Sequence, residues 1–213
     1  MLLDMRQITK RFGNITILDD VSLSLSAGEV IALTGESGSG KSTFLHIAAG
    51  LEPLDEGSVT INGTEIHQLN DGELANLRRT SFGIIFQQFN LIPSLTVAKN
   101  LTFQARLNGL TTDVDELADR LGLTDQLAKY PEDLSGGEQQ RVAIGRAAAA
   151  QSKLILADEP TGNLDENTGD AVFELLLSLA RDTGAGLLIV THSSRLAARA
   201  DRRLHLTHGR FQS

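Results

Sequence analysis

"GESGSGKST", Gly35 to Thr43, is the stretch on which the fold turns. Gly35, Gly40, Lys41 and Ser42 satisfy G-x-x-x-x-G-K-[ST]. The flanks agree: the apolar run "EVIALTG" precedes the loop, and Ser42 to Ala49 reads as a helix that stops at Gly50. Such a turn frees backbone N–H groups to close around phosphate oxygens, while the helix N-terminus adds a favourable dipole and Lys41 a full charge. The Ser42 hydroxyl is of the kind that ligates Mg²⁺. The competing reading is an ordinary strand-to-helix turn made tight by glycine, and the strand–loop–helix context weighs against it.

Upstream of the loop, "MRQI" and the alternating "VSLSLS" read as strands, the second running into a turn at Ala27 and Gly28. Downstream, "GSVTINGTEI" alternates around Asn62-Gly63 as a hairpin should. Then come a short helix over Asp71 to Arg79, the strand "FGIIF", a mostly helical stretch from about Asn100 to Ala150, the strand "KLILAD", a helix from about Asn167 to Arg181, the strand "GLLIV" and a closing hairpin in "RLHLTHGRF". Strands alternating with helices predict an α/β fold with a mostly parallel sheet, and the helical middle predicts an inserted subdomain.

The chain has 213 residues, enough for one sizeable domain, and no cysteine, which excludes a disulfide framework and thiolate chemistry. Its 19 Lys and Arg against 27 Asp and Glu give a net charge of −8, without the basic footprint of a duplex binder, so no nucleic-acid partner is expected. The N-terminus lacks the features of a signal peptide, and the longest uncharged stretch, Thr80 to Ala98, contains Gln87, Gln88, Asn90 and Pro93. A soluble chain that reaches a membrane only through a partner is expected.

Two further motifs carry chemistry. In "KLILADEP" an apolar strand ends in two carboxylates at the edge where α/β sheets bind ligands. Neighbouring strand residues point to opposite sides, so Asp158 can serve a Mg²⁺ shell through water while Glu159 faces the cleft and orients or deprotonates the attacking water. A solvated strand end is the alternative. In "LSGGEQQR", Leu134 to Arg141, Ser135 and Glu138 form a capping box, which a plain helix start would explain. Gly136 and Gly137, however, cost helix propensity while baring the first-turn N–H groups, which makes a second phosphate grip.

The order "GESGSGKST", Gln87 after an apolar strand, "LSGGEQQR", "LILADEP", "NLD" and "IVTH" resembles the nucleotide-binding subunit of an ATP-binding cassette (ABC) transporter over nearly the whole chain. The resemblance implies the P-loop NTPase fold of that family: a RecA-like core and antiparallel β subdomain over about 1–87 and 151–213, and a helical signature subdomain over about 88–150, together one domain. It implies ATP and Mg²⁺ as cofactors, cradled by Gly35, Glu36, Ser37, Gly38, Ser39, Gly40, Lys41, Ser42 and Thr43. The metal would be held by Ser42, Gln87 and Asp158. Phe12 would stack on adenine, where packing is its other reading. Ser135, Gly136 and Gly137 would close on the γ-phosphate held by a second copy, and Asp165 would line the opposing site or simply cap the next helix. Lys41, Gln87, Glu159 and His192 form the implied catalytic set.

The implied assembly is a homodimer in the ATP-bound state, peripheral on the cytoplasmic face of the membrane, driving an integral-membrane permease subunit. The contact would be the apolar "QFNLIPSLTV" segment, Phe89 to Val97, whose other reading is core of the helical subdomain. Within the family, "ADEPTGNLD" and "FQQFNLIPSLT" look like the lipoprotein-release, macrolide-export and cell-division branch, of export or mechanical-transmission type. Lys99 stands where that branch has Glu, and Ser193 where it has Asp. His46, His67, His205, His208 and Tyr130 match no motif and are read as structural. An ATPase acting on nucleic acid or ribosomes, a small kinase, and an ATP-switched regulator with little turnover are the rival functions.

Overall fold

The computed structural model describes residues 1–212. Strands β1 (Leu3–Phe12), β2 (Ile15–Leu25) and β3 (Val30–Thr34) precede helix α1 (Lys41–Ala48). β4 (Glu56–Ile61), β5 (Thr64–Glu65), α2 (Asp71–Ser81) and β6 (Phe82–Ile85) follow, then α3 (Val97–Leu107), α4 (Val114–Leu121) and α5 (Gly136–Ala149). The chain closes with β7 (Leu154–Asp158), α6 (Glu166–Thr183), β8 (Gly186–Val190), α7 (Ser194–Ala197), β9 (Arg202–Thr207) and β10 (Arg210–Phe211).

The near-continuous apolar runs become the middle of a six-stranded sheet of order β10-β9-β3-β8-β7-β6, parallel except for the edge strand β10. Such runs suit strands covered on both faces. Alternate residues divide accordingly: Val30, Ile155, Ala157, Leu187 and Ile189 join the core beneath α3 to α6, whereas Ile31, Leu33, Leu154, Leu156, Leu188 and Val190 join the core with α1 and the β1, β2 and β4 side chains. β2-β1-β4-β5 form a separate antiparallel sheet. Its Asn62-Gly63 turn has φ of 49° and 84°, the two positive angles of a type I′ hairpin.

β1 and β2 are longer than their apolar patterns suggest. They pair as far as Phe12 opposite Ile15, but the register shifts three times, and Gln7 and Asp20 take positive φ. Each bulge shifts the period-2 alternation, which breaks the signal read from sequence. The short α7 also escaped the pattern. Ser193 caps it by accepting from the Leu196 N–H at 3.2 Å, so serine there does the capping work open to an aspartate.

Candidate nucleotide site

The phosphate loop joins β3 to α1 through Gly35, Gly38 and Gly40, all at positive φ. At Gly40 a Cβ would lie 2.9 Å from the Ile17 carbonyl oxygen, and at Gly35 it would collide with the Leu206 carbonyl, so backbone packs where side chains would stand. No side chain caps α1, which leaves its first N–H groups to an incoming anion. Lys41 is 5% exposed, and its Nζ donates to the carbonyls of Gly35 at 3.0 Å and Glu36 at 2.7 Å. Burial lowers its pKa, against the opposing pull of Glu159 and Asp158. Ser42 Oγ donates to Asp158 Oδ1 at 2.9 Å, bringing together two of the three metal residues named from sequence.

Glu159 has a left-handed backbone, φ 45°, rare for a non-glycine residue, which departs from continued extended strand. Its N–H donates to the Val190 carbonyl at 3.0 Å, tying it to the end of β8, where His192 follows. His192 Nε2 lies 3.1 Å from Glu159 Oε1, and the His192 backbone N–H donates to Oε2 at 3.3 Å. The ring contact is out of line for a hydrogen bond, so Oε1 is buried without a hydrogen-bond partner in the chain. Burial raises the Glu159 pKa above the ordinary carboxylate value, more than offsetting His192 and Lys41, which lower it.

Phe12, Gln87, Glu159 and His192 converge with the phosphate loop on a cleft of about 420 Å³. Phe12 is 49% exposed there, with Lys10 Nζ 4.9 Å from its ring centroid. Gln87 is fixed by a partner the sequence did not suggest: its Nε2 donates to Asn163 Oδ1 at 3.1 Å, and Asn163 Nδ2 donates to the Gln87 carbonyl at 2.9 Å. A larger cavity of about 520 Å³, walled by Ile47, Leu54, Val59 and Leu74, is lined by neither the phosphate loop nor Gln87, Glu159 and His192.

Ser135, Gly136 and Gly137 do not line the cleft. The capping box forms: Ser135 Oγ donates to Glu138 Oε2 at 2.7 Å and accepts from the Glu138 N–H at 3.4 Å, and the Ser135 hydroxyl bond holds the Glu138 pKa down. Gly137 is buried, and a Cβ there would lie 2.5 Å from Thr168 Cγ2, so this glycine also permits α5 to pack on α6. Asp165 caps α6, accepting from the Thr168 N–H at 3.1 Å, and that bond lowers its pKa.

The Phe89–Val97 segment is part surface and part core: Phe89, Leu91 and Ile92 are half-buried, Leu91 packs against the core beneath α3 to α6, and Val97 is fully buried in it. Phe89 and Asn90 take positive φ, and Arg146 of α5 donates to both their carbonyls. Fully buried Asn100 accepts from the Ile92 N–H and donates to the carbonyls of Ile92, Leu95 and Thr96. Replacing Asn100 by Ala strands those groups and should lower stability by about 2 kcal/mol, read as a lower midpoint in urea unfolding. An unchanged midpoint would show that the turn holds without it.

Sequence reasoning missed a further neighbour of the site. His46, read as structural, has Nε2 3.6 Å from Asp158 Oδ2. Its signal was available, because Ser42 and His46 are four apart on α1 and so share a helix face.

The comparisons agree with this geometry. Residues 18–162 match the ABC transporter family. The chain is 46% identical over 209 residues to the lipoprotein-releasing system ATP-binding protein LolD of Nitrobacter hamburgensis, covering 96% of this chain and 90% of that protein. It is 40% identical to LolD of Shewanella oneidensis, covering 100% and 96%. Among solved structures it is similar, at TM-score 0.89 and 36% identity, to the ATP-binding cassette MJ0796 in a dimeric post-hydrolysis state bound to ADP and Pi, covering 100% of this chain and 97% of that one. With the phosphate loop, the paired carboxylates and the signature turn in place on this α/β fold, the chain belongs to the ABC transporter family, as one of its ATP-hydrolysing subunits.

Proposed function

We propose that two copies of this chain close head to tail around two ATP molecules and pass the closing and opening to a membrane-embedded permease, in export or mechanical transmission. The carrying observation is that Ser135, Gly136 and Gly137 lie outside the cleft of their own chain, with Ser135 itself exposed. A second copy then brings its signature turn to each phosphate loop, giving two shared sites in a symmetric dimer. The helical stretch over about 88–150 moves as a unit against the core over about 1–87 and 151–213. Similarity to a dimeric cassette and to LolD proteins supports this reading.

In the closed site Phe12 stacks on adenine, Lys41 exchanges its two carbonyl partners for phosphate oxygens, and Asp165 borders the opposing site. Ser42 and Asp158 fit a hard divalent cation, with Gln87 above them. Among the described residues no three His, Cys, Asp or Glu cluster to hold a metal alone, so a bound cation would draw further oxygen ligands from phosphate and water. Mg²⁺ bound there would neutralise phosphate charge. Water attacks the γ-phosphorus as the bond to the β-γ bridging oxygen breaks, Glu159 takes the water proton, and His192 donates to a γ-phosphate oxygen. Inorganic phosphate and ADP then leave a loosened clamp.

No helix among the described residues is long and apolar enough to cross a membrane. The Phe89–Val97 surface supplies the permease contact and places the protein on the cytoplasmic face. Light scattering of the full chain carrying Glu159→Gln tests the assembly: mass should double in ATP and stay monomeric in ADP. A monomer in both would overturn the shared site. Capture from detergent-solubilised membranes should recover one integral-membrane partner, whereas DNA or ribosomes in its place would refute the permease reading.

A further inference from the structure

The geometry points to His46 as a positioning residue that fixes the plane of the Asp158 carboxylate from behind the metal site. Ser42 and His46 leave α1 one turn apart on the same face, and Asp158 meets both. Its Oδ1 accepts from Ser42 Oγ at 2.9 Å, and its Oδ2 lies 3.6 Å from His46 Nε2. That nitrogen is shielded from solvent and has no hydrogen-bond partner. A buried polar atom without a partner is uncommon and needs a reason. Here the facing atom is the second oxygen of a carboxylate already held by its first. Catalytic hydrogen bonds are often long before substrate binds and tighten in the complex, so the 3.6 Å gap would close in the nucleotide-bound state. With Nε2–H donating to Oδ2, the carboxylate can no longer swing about its Cβ–Cγ bond, and Oδ1 stays aimed at Ser42 Oγ, where a cation would be held. Carboxylates that serve metals are commonly oriented by such outer partners.

This inference rests on the metal reading of Ser42 and Asp158, and the test separates the two. Free Mn²⁺ is measured by electron paramagnetic resonance in titrations of the full chain loaded with ADP. ADP binding in EDTA and thermal melting without nucleotide serve as controls. His46→Ala and His46→Leu should each weaken Mn²⁺ binding about tenfold, the leucine keeping apolar bulk without a donor. ADP affinity in EDTA should stay within about twofold of the parent, since no phosphate contact is lost. His46→Gln, whose amide nitrogen reaches about as far as Nε2, should restore most of the Mn²⁺ affinity. Parent-like binding by the leucine variant overturns the inference, as does a glutamine variant as weak as the leucine. If the parent with ADP holds no more Mn²⁺ than ADP alone, the metal reading itself falls, and the role of His46 with it.

Discussion

Glu159→Gln is expected to lower ATP turnover by at least about a hundredfold while ATP binding survives, because the amide cannot take the proton that attacking water must lose. The substitution keeps the size of the side chain and a carbonyl oxygen where Oε1 sits buried without a hydrogen-bond partner. Since burial raises the pKa of this carboxyl, the parent enzyme should also lose rate on acidification above the range of an ordinary glutamate, as protonation removes the acceptor. The variant should lack that acid limb. Phosphate release across pH, paired with equilibrium ATP binding, checks both statements; near-parental turnover would take Glu159 out of the catalytic role.

What the sequence revealed and what it hid divide on physical lines. The phosphate loop, the apolar β7 with its two carboxylates and the Asn62-Gly63 hairpin are local patterns whose chemistry is complete within a few residues, and each forms where the chain predicted it. The extent of β1 and β2 was hidden because bulges at Gln7 and Asp20 move side chains out of alternation. Asn163 holding Gln87, and Arg146 gripping the carbonyls at Phe89 and Asn90, join residues more than fifty apart, and a single sequence gives no hint of such pairs. His46 differs, for its spacing from Ser42 was visible, but it needed the position of Asp158 to acquire meaning.

Two inactive proteins should regain activity when mixed. Lys41→Ala removes the cation proposed to meet the phosphates, and Ser135→Arg blocks the signature turn; each homodimer should fall below about 1% of parental turnover. A mixed dimer pairs both defects in one site and leaves the other site with a sound phosphate loop and a sound signature. With random pairing half of the dimers are mixed and half of their sites are whole, so the mixture should approach about a quarter of parental single-turnover hydrolysis. Exchange of subunits, followed by light scattering, must be complete before the assay. Activity no greater than the sum of the separate proteins would mean that every site is built from one chain, contrary to the position of exposed Ser135 outside its own cleft.

The left-handed backbone at Glu159 has a practical consequence. Side chains other than glycine resist that conformation, so the residue proposed to take the water proton also loosens the fold it stands in. A library screened for heat tolerance alone would therefore tend to enrich glycine at this position and return a sturdier, inert protein. Engineers seeking a robust version of this ATPase should hold position 159 constant and look for gains elsewhere.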